Sequence, residues 1–124
     1  MLRVNNKELF HKLPDGILFD TDNTLYSYQP AHRKAMYALK NKVSRTLNVK
    51  ISEVELNFER AKKEVKANLK NTAASHSRLL YVQRMLEFFG LGSQVLLALD
   101  FEQTYWRVFL SEAKLFPGLE DFLE

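Results

Sequence analysis

The chain has 124 residues, a formal net charge of +3, 46% hydrophobic residues and no cysteine. Its length suits one domain and its apolar fraction suits a packed core, which excludes wholesale disorder. The missing cysteines exclude a disulfide scaffold, a thiolate metal site and a cysteine nucleophile.

Val4, Leu9, Phe10 and Leu13 sit among polar neighbours and suggest a short helix or lead-in segment. Pro14-Asp15-Gly16 makes a turn. Ile17-Leu18-Phe19 is a continuous apolar run, the pattern of a strand buried on both faces in a parallel sheet. Asp20-Thr21-Asp22-Asn23-Thr24 then falls at the strand's carboxyl end, where open α/β sheets bind ligands. From Pro30, which suits a first helical position, the pattern turns helical. Ala31, Ala35, Leu39, Val43 and Leu47 recur along one face. Ser52 and Glu55 have capping-box spacing ahead of Val54, Phe58, Ala61, Val65 and Leu69. A third helix carries Leu79, Val82, Leu86 and Phe89 and ends at Gly90. Ser93 is expected to cap a fourth, with Val95, Leu96, Leu99, Trp106, Phe109 and Leu110 as its apolar set. Leu115-Phe116-Pro117-Gly118 breaks the pattern before a last helical turn or two from Leu119 to Leu123. Four amphipathic helices on short loops make a bundle. One buried strand ahead of a bundle lacks parallel neighbours, which hints at a partial core.

The charge is unevenly placed. From Arg33 to Lys70 there are eleven Lys/Arg against four Glu; from Glu87 to Glu124 there are two against seven Asp/Glu. The basic residues are interleaved with Glu53, Glu55, Glu59 and Glu64, as on solvated helix faces, so a nucleic-acid partner is not expected. A basic face near a site would instead attract an anionic substrate. No apolar run approaches the roughly 20 residues that span a bilayer, and no signal-peptide stretch opens the sequence. A cytoplasmic protein with no membrane partner is the expectation.

Asp20 and Asp22, two residues apart at the end of an extended segment, lie where both reach one ligand. One carboxylate can attack phosphorus while the other moves the proton of the leaving oxygen. A cation such as Mg²⁺ would offset the clustered charge with the oxygen ligands it prefers. A calcium loop also begins D-x-D, but needs Gly sixth and Glu twelfth, where Leu25 and Ala31 stand. A bare pair of aspartates in a turn most often does no chemistry, so the flanks carry the weight.

Those flanks, Gly16-Ile17-Leu18-Phe19-Asp20-Thr21-Asp22-Asn23-Thr24-Leu25-Tyr26, resemble the first signature motif of the haloacid dehalogenase-like (HAD) hydrolase superfamily. The helical stretch that follows resembles the type 1 cap of subfamily I, and Leu115 to Leu123 resembles the re-entry into the core. The resemblance implies an α/β fold, a HAD-like Rossmann-type core of which only the first strand and first motif are present. An inserted helical bundle cap makes this chain mostly α. Residues 1–27 would be core, 28–114 cap and 115–124 re-entry. It further implies an Mg²⁺-dependent phosphatase of a small phosphorylated metabolite. Asp20 would be the nucleophile and Asp22 the general acid/base, both holding the metal, with Asp22 contributing its backbone carbonyl. Thr24 would brace the loop by hydrogen bonding and, with Thr21, bind the substrate. Thr21 would lie against substrate, although it departs from the large apolar residue common there. An aspartate at position 22 points to a phosphatase over a dehalogenase.

Three later motifs of that family are missing: a Ser/Thr after a second strand, a Lys or Arg, and an acidic pair. Without these clamps transition-state charge goes uncompensated, and the chain by itself is expected to have little or no phosphatase activity, as a fragment or truncated product. Tyr26, Tyr28, His32, Arg33, Arg78 and Tyr81 are candidates to read the substrate, Arg78 by pairing with an anion. His32 is expected to be an exposed helix residue, and Tyr105, Trp106 and Phe109 to be bundle core. The alternative to an enzyme is a non-catalytic interaction module that self-associates through its unpaired strand.

Overall fold

A computed structural model of the chain describes residues 15–123. The expected lead-in over residues 3–13 and Pro14 of the turn lie outside them. Helix α1 (Tyr28–Leu47) buries Ala31, Ala35, Leu39 and Val43, the face that the four-residue recurrence picks out. Pro30 is its third residue, not its first; N–H groups in the first turn have no intrahelical acceptor, so the missing donor costs nothing there. The helix ends at Asn48, in the left-handed region at φ 53°, whose N–H returns to the Ser44 carbonyl.

Helix α2 (Ile51–Leu69) buries Val54, Phe58 and Ala61. It starts earlier than the Ser52 cap would allow. The Glu53 carboxylate instead accepts the Lys50 N–H at 2.9 Å, which leaves Ser52 inside the first turn. A 3-10 turn (Ala73–His76) leads into α3 (Arg78–Phe88), where the Ser77 hydroxyl accepts the Leu80 N–H. Gly90 then adopts φ 76°; its N–H reaches the Glu87 carbonyl and the Leu91 N–H reaches Leu86, which together close a Schellman motif. Helix α4 (Val95–Glu112) has no side-chain cap from Ser93, the preceding residue being Gln94. A short α5 (Leu119–Leu123) ends the described chain.

The four long helices form a ring. The broadest contact is α1 on α4, then α2 on α3, closed by α3 on α4 and α1 on α2. Tyr105, Phe101, Leu39, Met85 and Leu86 are the largest side chains at its centre. The face that α4 turns inward differs from the expected one. Ala98, Phe101, Tyr105 and Phe109 are buried, whereas Leu96 is 83% exposed, Leu110 69% and Trp106 38%. Apolar residues surround this helix, and the side that meets both α1 and α3 is settled by those neighbours.

The expected α/β core is corrected by the structure: the described residues are helical and contain no strand or sheet. Only isolated bridges occur, Asp22 with Tyr26 and Tyr26 with Leu115. A strand exists through its ladder, and no described segment runs beside residues 17–19 to supply one. The apolar run is therefore extended but uncovered, with Ile17 64% and Leu18 99% exposed. Among the described residues no helix is long and apolar enough to cross a membrane.

Candidate functional site

The aspartate loop is a tight turn built from its own polar atoms. The Thr21 carbonyl accepts the N–H groups of Thr24 at 3.2 Å and Leu25 at 2.9 Å, and Asn23 takes φ 62° to let the chain reverse. Asparagine tolerates that conformation better than most residues. Its side chain then caps the bundle, the Oδ1 accepting the first N–H of α1, from Tyr28, at 3.0 Å. Thr24 Oγ1 donates to Asp20 Oδ2 at 2.8 Å, and Tyr26 Oη donates to Asp22 Oδ1 at 2.5 Å. Each carboxylate thus has one oxygen held within the loop. The Asp22 hydrogen bond, and then burial, raise the Tyr26 hydroxyl above its ordinary pKa, so it stays protonated and a donor. On the far side the Phe116 N–H donates to the Leu25 carbonyl at 2.9 Å and ties the loop to the chain after α4.

Thr21 and Asp22 open onto a cleft of about 950 Å³ that runs between α1, α2 and α3 and the end of α4. Every one of the six candidate substrate-reading residues lines it: Tyr26, Tyr28, His32, Arg33, Arg78 and Tyr81. Asp20 and Thr24 are not among its lining residues. Lys40, Lys62, Lys66 and His76 also line the cleft and were not anticipated. The signal for two of them was available, since Glu55, Glu59, Lys62 and Lys66 fall at helical spacing on one side of α2.

The middle of the cleft is a polar cluster drawn from three helices. Arg78 Nη2 donates to Tyr28 Oη at 2.7 Å, and its guanidinium lies 4.2 Å from the centre of the Tyr105 ring and 5.0 Å from that of Trp106. His32 is half-buried, not exposed: its ring stacks on Tyr28 at 5.0 Å and its Nδ1 meets Tyr105 Oη at 2.7 Å and Tyr28 Oη at 3.1 Å. Burial first, then the Arg78 charge, lowers the His32 pKa and keeps the ring neutral at pH 7. Burial likewise raises Tyr105, so its hydroxyl keeps a proton to donate. Trp106 borders this cluster from the surface, outside the core where it was expected.

Five Lys/Arg side chains line the cleft against three carboxylates, Asp22, Glu55 and Glu59. Lys40 pairs with Glu55 at 3.0 Å and Lys62 with Glu59 at 3.6 Å. Arg33, Lys66 and Arg78 make no ion pair among the described residues. No three metal-ligating side chains cluster there either. Asp20 keeps one carboxylate oxygen that Thr24 does not hold, and with the Asp22 carbonyl it offers hard oxygen donors of the kind Mg²⁺ takes alongside water and phosphate.

A helical bundle with a carboxylate loop at the mouth of a cationic cleft is suited to binding small anions. The chain is similar to a protein named ribulose-1,5-bisphosphate 5-phosphatase from Halopiger xanaduensis, with 35% identity over 110 residues. The alignment takes in 88% of this chain and 46% of that protein, so the chain spans about half the length of its curated relative. No family model matches the sequence, and no solved structure matches it.

Proposed function

We propose that the chain carries the nucleophile loop and substrate-gathering bundle of an Mg²⁺-dependent phosphatase of the HAD type, acting on a small phosphorylated sugar. The observation that carries this reading is the pair Asp20 and Asp22 in a self-braced turn beside a cleft where cations outnumber carboxylates. The similarity to a phosphatase of a phosphorylated sugar supports it.

In this reading an oxygen of Asp20 attacks phosphorus, the bond to the sugar oxygen breaks, and Asp22 gives that oxygen its proton. Asp22 then takes a proton from water, whose oxygen attacks the aspartyl-phosphate and releases inorganic phosphate and free Asp20. Tyr26, donating to one Asp22 oxygen, leaves the other to carry the proton. Thr24 holds Asp20 through its hydroxyl, and Thr21 and Arg78 would lie against the substrate. Asp20 and the Asp22 backbone carbonyl would hold Mg²⁺, which when bound offsets charge on the phosphate oxygens. With no Lys or Ser/Thr clamp recognised at the reacting phosphate, turnover by these residues alone is expected to be very slow, so the intermediate is the better readout. The test is to incubate the chain with Mg²⁺ and a sugar phosphate, reduce with borohydride, which converts an acyl phosphate to an alcohol, and locate the change by mass spectrometry. Homoserine at position 20 supports the reading, and modification elsewhere contradicts it.

A second reading, self-association without catalysis, is favoured by one observation. Ile17, Leu18 and Phe19 lie exposed at the end that also exposes Leu115, Phe116 and Phe122. Phe19 and Phe122 meet edge to face at 6.0 Å, which joins exposed apolar groups from before α1 and after α4. The borohydride test separates the two readings, since a chain without catalysis forms no homoserine at position 20.

A further inference from the structure

The cleft is larger than one phosphate needs, and its cations are not gathered at the aspartate loop. Lys62 and Lys66 stand four residues apart on α2, and Arg78 is the first residue of α3. A cation at a helix N-terminus works against the macrodipole, so the stability of α3 does not account for Arg78. Nor does an ion pair, because no described carboxylate reaches it. Its guanidinium instead lies 4.2 Å from the centre of the Tyr105 ring and 5.0 Å from that of Trp106 and is tethered through one nitrogen to Tyr28, which leaves N–H donors for another partner. A planar, oriented fork of this kind suits bidentate capture of a phosphate or carboxylate. Of the two lysines that line the same cleft, Lys62 reaches Glu59 only at 3.6 Å and Lys66 makes no ion pair among the described residues.

We propose that Arg78, Lys62 and Lys66 form a second anion subsite, so that the substrate is a doubly charged compound of the sugar bisphosphate class. One phosphate is placed at Asp20 and Asp22 and the other anionic group at Arg78. This inference rests on the phosphatase reading for the word substrate, but the subsite itself is a binding property that needs no chemistry. His32 contributes as a neutral neighbour: a protonated ring beside Arg78 would compete with it for the same hydroxyls.

The test is equilibrium titration calorimetry of the full chain with Mg²⁺, using a pentose and a hexose bisphosphate, each against its own monophosphate, and inorganic phosphate. At least one bisphosphate is expected to bind tenfold or more tightly than its monophosphate. Arg78→Gln should bring that ratio close to one. Lys66→Gln, at an exposed position, should lower the ratio in the same direction and keeps the test decisive if Arg78→Gln loosens the bundle. Equal affinities for mono- and bisphosphates, no binding of either, or equal loss of both in the two variants would overturn the subsite. Asp20→Asn should keep the preference for two phosphates. A preference that persists when no aspartyl-phosphate forms at Asp20 sinks the phosphatase reading alone. An intermediate at Asp20 without the preference sinks the subsite alone.

Discussion

At the scale of single residues, the cleft is organised by what a hydrogen bond does to Tyr26 and what burial does to His32 and Tyr105. Tyr26 and Tyr105 are held protonated; Tyr26 donates to Asp22 and Tyr105 shares a hydrogen bond with His32. His32 is held neutral between Tyr28, Tyr105 and Arg78. Its folded pKa lies below the ordinary value of 6.5, so between the two values the unfolded chain binds more protons than the folded one. Stability should therefore fall as pH drops below about 6.5, and should be free of this penalty above it. Urea denaturation at pH 7.5 and 5.5 checks this. The wild type should lose more stability than His32→Gln between the two conditions, and identical losses would contradict the assignment. Asp20, Asp22 and Thr24 were legible in the sequence because the loop that joins them is contiguous. The environment of His32 was not, since Tyr105 reaches it from 73 residues away.

At the scale of elements, termini and faces obey different constraints. The end of α3 depends on one left-handed residue, and Gly90 was readable as its stop because few other residues take φ 76° without strain. A Cβ there would meet nothing within 4 Å, so Gly90→Ala carries the conformational cost alone. That cost is about 1–2 kcal/mol. The urea midpoint should fall with an unchanged slope, and an unchanged midpoint would show that the motif is not holding α3. The inward face of α1 was legible because Ala31, Ala35, Leu39 and Val43 repeat among polar residues. That of α4 was not, because a helix apolar on several sides leaves the choice to its neighbours. The strand over 17–19 failed for a related reason: a local apolar pattern says what can be covered, never what covers it.

At the scale of the whole molecule, function and exposure separate. The cationic cleft lies along α1, α2 and α3, while the exposed apolar groups come from before α1 and after α4. Uncovered leucine and phenylalanine favour contact with a second copy. We expect the chain to self-associate as its concentration rises, seen by sedimentation velocity. Leu18→Glu should reduce this strongly, because at 99% exposure Leu18 holds nothing in the fold. A wild type that stays monomeric at high concentration would contradict the expectation.

The claim that Asp20 accepts a phosphoryl group is tested most directly by finding where that group goes. After incubation with Mg²⁺ and a sugar bisphosphate and reduction with borohydride, the peptide containing residues 15–33 should carry homoserine at position 20 in the wild type. The change should vanish in Asp20→Asn and when Mg²⁺ is withheld. Homoserine at position 22, or the same yield in Asp20→Asn as in the wild type, would contradict the assignment of Asp20 as the nucleophile.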